Sequence, residues 1–177
     1  MQAPNNLVDI SDVSNLQRYG VKGPLAAKWL ASHGVVLPAK ANTWVLSGQA
    51  IVMRLGASEF LIEDQADGGV CDNLAADTLR VAGVYKVPRA DTAYQLVGSG
   101  VLDLFAELCP LDLRETALAE NDVIMTQVAG ISATFLRQTI DNKMIYRLWC
   151  DGTYGAYMQH TLADIAAELD GRTSGHL

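Results

Sequence analysis

The sequence contains no run of lysine and arginine: its 13 basic residues are scattered among 20 acidic ones, for a formal net charge of −7 over 177 residues. Nucleic-acid binding needs clustered cations to displace the counterions of phosphate, so this composition argues against it. Long apolar runs are missing as well. Stretches such as Ala50–Met53 and Phe60–Ile62 fall far short of the ~20 residues that a membrane helix requires. Met1 to Asn6 lacks a charged segment followed by an apolar block, so the expectation is a cytoplasmic protein with no membrane contact. Cysteine and histidine are scarce. Cys71, Cys109 and Cys150 are widely spaced in apolar sequence, which fits buried thiols better than a disulfide framework or a CxxC metal site. His33, His160 and His176 show no HxxxH or HxxE spacing, so no metal site is expected.

What is present is apolar. Half of the residues are hydrophobic and 19% are charged, against ~25% charged in an average soluble domain. Either a large core or a face buried against a partner accounts for this. The length suits one domain, 1–177.

Along the chain one pattern occurs twice. In Arg18–Leu37 an extended Tyr19–Lys22 meets Gly23, then Pro24 at a first helical position, then Leu25, Ala26, Trp29 and Leu30 on one face, with Gly34 able to close the helix. In Ala93–Leu113, Tyr94 and Leu96 precede Gly98, Ser99 can cap, and Leu102, Phe105, Ala106 and Cys109 recur at helical spacing up to Pro110. Trp44–Glu63 and Asp122–Cys150 then each read as three strands joined by turns. A weak helix near Gly69–Leu79 follows the first, and a helix over Thr153–Leu169 with Thr153 as N-cap follows the second. The expected fold is α+β, a duplicated strand, helix, antiparallel hairpin and helix unit with halves near 8–80 and 81–170, and a disordered tail at 171–177.

The sharpest local expectation is a hairpin of Ala133–Ile140 with Lys143–Cys150 around Asp141-Asn142, residues that tolerate the positive φ of a type I′ turn. That loop sets Phe135 opposite Leu148 and Ala133 opposite Cys150 on a drier face, and Leu136 opposite Arg147 and Thr134 opposite Trp149 on the other.

Catalytic patterns are weak. Gly98-Ser99-Gly100 lacks the third glycine of a dinucleotide fingerprint, and neither Ser47 nor Ser99 sits in a GxSxG elbow. Glu63, Asp64, Asp67 and Asp72, and Glu115, Glu120 and Asp122, read as solvated loop carboxylates, since apolar neighbours do not bracket them. No catalytic, cofactor-binding or metal residue is therefore nominated. Trp44, Trp149, Tyr154 and Tyr157 are candidate interface residues, because Trp and Tyr bury area at little entropic cost; core packing is the competing explanation for each.

Three phrases carry a resemblance: VDISDVSNLQRYGVKGPLAAKWL at Val8–Leu30, RLGASEFLIE at Arg54–Glu63 and AYQLVGSGVLDLFAELCPLDL at Ala93–Leu113. Together they resemble the gamma subunit of heterotetrameric sarcosine oxidase, within the superfamily of the glycine-cleavage T-protein, a folate-dependent aminomethyltransferase. The likeness runs from about Val8 to Leu169. It implies a fold like the folate-binding domain of aminomethyltransferases. It also implies a complex in which larger flavoprotein subunits carry flavin, nicotinamide dinucleotide (NAD) and the tetrahydrofolate site, oxidise an N-methyl amine and pass on the one-carbon unit. This chain would support that assembly and bind no cofactor itself. Folate-binding members place an acid after the strand that follows the first helix, whereas Gly48–Arg54 has none; gamma-type chains open the last helix with Arg-Ser, and this one has Gly152-Thr153. A free-standing folate-binding aminomethyltransferase-like protein and a stand-alone scaffold or binding domain remain as alternatives.

Overall fold

The computed structural model describes residues 6–65, 68–114 and 117–174. In chain order the elements are β1 (Asp9–Asp12), β2 (Arg18–Lys22), α1 (Ala26–Ser32), β3 (Thr43–Ser47), β4 (Ala50–Arg54), β5 (Glu59–Glu63) and α2 (Val70–Ala76). Then come β6 (Tyr85–Val87), β7 (Asp91–Val97), α3 (Val101–Leu108), β8 (Val123–Val128), β9 (Ile131–Ile140), β10 (Lys143–Asp151), a 3-10 turn (Gly152–Tyr154) and α4 (Gly155–Ser174). They form an α+β fold of two units. The leading unit comprises Asn15–Ala90 with Asn121–Val123, and the trailing unit takes the described residues of Met1–Ser14, Asp91–Glu120 and Ile124–Leu177.

The leading sheet runs β3-β4-β5-β2-β6. Alternation along the strands puts Val21, Ala50, Val52, Phe60 and Ile62 on the face that packs with Ala26, Trp29 and Leu30 of α1 and with Cys71 and Leu74 of α2. The opposite face carries Ile51, Met53 and Leu61, also buried. Gly23 has φ 122°, and a Cβ there would lie 2.4 Å from the Gly83 carbonyl oxygen. The chain thus turns from β2 into α1 against the 83 loop, through a position only glycine fills. The helix begins later than the sequence suggests. Pro24 and Leu25 lie in the preceding turn, where the Leu25 N–H donates to Gly83 O (3.0 Å), and Ala26 is the first helical residue. Gly34, at φ 76°, follows its end as expected.

The trailing sheet runs β1-β7-β10-β9-β8. Read from β8, its order repeats that of the leading sheet: three successive strands, then the strand that feeds the first helix, then a short edge strand. Phe105 of α3 meets Phe135 edge-on at 5.0 Å, and Phe135 stacks on Tyr146 at 5.8 Å. Leu148, Met158 and Leu162 complete this core. Asp141 and Asn142 have φ of 50° and 60°, and the β9–β10 register matches the expected pairs, with Phe135 opposite Leu148 and Leu136 opposite Arg147. The face expected to be wetter is nevertheless buried at Leu136, Arg147 and Trp149.

Three local expectations are corrected. No side-chain cap holds α3, because Gly100 takes the cap position and its N–H donates to Leu7 O (2.9 Å). The cap before α4 is Asp151, which accepts from Thr153 N at 2.8 Å and Thr153 Oγ1 at 2.6 Å. The helix itself continues through Gly171 to Ser174, held there by Arg172 pairing with Glu107 (2.7 Å) and Glu168 (3.2 Å); residues 175–177 lie outside the described residues.

Candidate functional site

The four aromatics nominated from sequence fall in different settings. Trp149 is 1% exposed with the Arg147 guanidinium 5.5 Å above its ring, so it offers no surface from this chain. Trp44 is half-buried in β3, and its Nε1 has no hydrogen-bond partner among the described residues. Tyr154 and Tyr157 are exposed and flank the β8–β9 turn: Tyr157 Oη donates to Ala129 O (3.1 Å), while Tyr154 lines a shallow recess of about 170 Å³ with Gly130, Ile131, Ser132 and Asp151.

Of the carboxylates expected to be solvated near the end of β5, Asp72 is exposed, whereas Glu63 and Asp64 are not. Glu63 is fully buried, opposite Ile51 of β4, and accepts from Arg18 Nε at 2.6 Å. The pair spans β5 and β2 on the face away from the α1 core. Breaking such a buried pair by removing one partner typically costs 3–5 kcal/mol. Asp64 is buried as well, and its Oδ2 accepts the Cys71 N–H (2.9 Å) near the start of α2. Both acids thus hold backbone and sheet together. Asp67 and Glu115 lie outside the described residues. Among those described, no three His, Cys, Asp or Glu side chains converge to hold a metal. No helix of the described residues is long and apolar enough to cross a membrane.

A more exposed feature lies in the leading unit, on the strap Thr78–Lys86, which follows α2 and takes in the first two residues of β6. Leu79 is 73% exposed and Tyr85 58%, with Val81 and Leu25 exposed close by. The strap residues surround an open groove of about 680 Å³. At the strap's start Asp77 is fixed from several sides. Its Oδ1 accepts from Leu79 N (2.9 Å), and its Oδ2 accepts from Trp29 Nε1 (3.2 Å) and lies 3.1 Å from His33 Nε2. The Leu79 N–H, more than the two side chains, holds the Asp77 carboxyl below its ordinary range. Lys86 Nζ donates to the Asp77 carbonyl and sits 5.8 Å from the centre of the Trp29 ring. Sequence reasoning missed this site. Its one signal was the composition of Thr78–Ala90, which has three cations and no acid in an acidic chain.

No family model matches the chain, and no curated protein matches it by sequence. Among solved structures, the fold matches a chain of "Heterotetrameric Sarcosine Oxidase from Corynebacterium sp. U-96 in complex with pyrrole 2-carboxylate". That match has a TM-score of 0.78 at 22% identity and covers 95% of this chain and 88% of that one. It also matches the glycine cleavage system aminomethyltransferase T from Bartonella henselae, with a TM-score of 0.64 at 15% identity, over 90% of this chain and 46% of that one. The resemblance read from the sequence therefore holds at the level of the fold.

Proposed function

We propose that this chain is a gamma-type subunit, without catalytic activity of its own, that supports a heteromeric sarcosine-oxidase-like flavoenzyme in the cytoplasm. One observation carries the reading. The fold aligns over 88% of a chain from a heterotetrameric oxidase, but over 46% of an aminomethyltransferase. Flavin, NAD and tetrahydrofolate would then reside on larger subunits, which oxidise an N-methyl amine and transfer its one-carbon unit. The repeated strand order of the two sheets supports a duplicated origin for the two halves within one domain.

The residues present do not fit a pterin. Strand β4 offers Ile51, Val52 and Met53, and the neighbouring buried carboxylate, Glu63, is already bonded to Arg18 at 2.6 Å. A pterin's N–H donors buried here would lack acceptors, at ~1–3 kcal/mol each.

The test is to tag the chain in its source cell, isolate it gently and record a native mass spectrum and an absorption spectrum. A stoichiometric hetero-oligomer with flavin absorbance is expected. A chain that elutes alone or only with itself contradicts the proposal.

A further inference from the structure

We propose that the Thr78–Lys86 strap and the open edge of β6 form the face that holds the partner subunit, and that the partner lays against it an extended segment carrying acidic side chains beside apolar ones. This rests on the subunit role argued above and assigns it a surface. Three features converge there. The first is apolar exposure, with Leu79, Val81 and Tyr85 in solvent around one groove and exposed Leu25 tied to the same segment through its N–H to Gly83 O. Contiguous apolar exposure of this kind marks interaction sites on soluble proteins.

The second is charge. Between Asp77 and Asp91 the chain carries Arg80, Lys86 and Arg89 and no acid, although the whole sequence has a net charge of −7. Lys22 joins them, opposite Tyr85 in the β2–β6 register. The nearby acids are Asp77, whose carboxylate already accepts from Leu79 and Trp29, Glu59, opposite Lys22 in β5, and Asp91, two residues past Arg89, so the basic character rests on Arg80, Lys86 and Lys22. An acidic partner segment complements this surface. A second copy docking by two-fold symmetry would set the same cations against one another.

The third feature is the backbone. Strand β6 ends its sheet, and no described strand pairs with its outer side. A peptide segment can add main-chain hydrogen bonds there, which a lipid surface cannot. The strap is also pre-ordered: Asp77 anchors its start, Val84 N donates to Val81 O (3.0 Å), and Gly83 O accepts from Leu25 N (3.0 Å). Pre-ordering lowers the entropic cost of docking.

The experiment compares hydrogen exchange of the free chain and of the isolated complex, then repeats the isolation with exposed-site variants. Protection on assembly should concentrate in 78–87. Arg80→Glu, Leu79→Ser and Tyr85→Ser should each weaken assembly by about tenfold or more, while Met125→Ser, at an exposed site of the trailing unit, should not. Arg80→Glu should keep the free chain's melting temperature, which separates docking from folding. If the complex forms with protection elsewhere and the strap variants assemble normally, this inference fails while the subunit role stands. If no hetero-oligomer forms with the wild-type chain, both fail. Strap-dependent dimerisation of the free chain, or strap-dependent binding to phosphatidylglycerol vesicles, would overturn the choice of partner.

Discussion

Burial pushes the Cys71 thiol up to about 12, and the nearby Asp64 carboxylate adds to the effect, because a thiolate there would lose hydration and face another negative charge. Cys71 should therefore resist a thiol-disulfide reagent at pH 8 in the native protein and react once denaturant is added, as peptide mapping would show; rapid native labelling of Cys71 would contradict the burial. Tyr94 behaves similarly. Its phenol, buried and near Asp12, is raised to about 12, and it donates to Gly155 O at 2.7 Å. A folded value above the unfolded one gives stability that is complete below pH ~10 and is lost as pH rises through the folded value. In denaturant titrations Tyr94 should account for on the order of 2 kcal/mol of the stability lost across that window, with Cys71, also raised, adding to the loss; Tyr94→Phe should lower the alkaline slope by that share and leave the remainder. Some of these residue environments were readable from sequence and some were not. Free thiols in apolar sequence implied burial, whereas Glu63 looked solvated because its partner, Arg18, reaches it only once β2 and β5 are paired. Asp77 was equally hidden, since its partners Trp29 of α1 and His33 at the end of that helix lie far along the chain.

Elements with local instructions were legible, and those made only by distant pairing were not. The Asp141-Asn142 turn specifies its own φ angles and, through them, every cross-strand pair of β9 and β10. By contrast β1 and β6 have four and three residues, too few for a periodicity, and exist because β7 and β2 offer them edges. The entry into each first helix is the sharpest test at this scale. Gly98 has φ 136°, and a Cβ there would come within 2.1 Å of Leu7 O, a closer approach than the 2.4 Å at Gly23. Both carbonyls are held by backbone hydrogen bonds, Gly83 O from Leu25 N and Leu7 O from Gly100 N, so neither clash relaxes cheaply. Gly23→Val and Gly98→Val should each destabilise by about 2 kcal/mol or more in urea unfolding. A loss below ~0.5 kcal/mol at either site would mean that the turn is an ordinary one. The Thr78–Lys86 strap escaped the sequence reading for a related reason. Its Leu79, Val81 and Tyr85 look like core residues until the sheet is built and leaves them outside.

For the molecule as a whole, fold and phrase agree. Two sheets of the same strand order surround separate cores, and the fold matches a chain of a heteromeric oxidase over most of its length. With no carboxylate on β4 and Glu63 bonded to Arg18, calorimetry of the purified chain with tetrahydrofolate should show no submicromolar binding. Tight binding would revive an aminomethyltransferase-like role. The supporting role itself is tested most directly by deleting this chain from cells that make the larger subunits and assaying N-methyl amine oxidation by what remains. Without the chain, the flavoprotein is expected to fail to assemble or to lose turnover until the chain is restored. A soluble, fully assembled flavoprotein that turns over at the full rate without it would contradict the account.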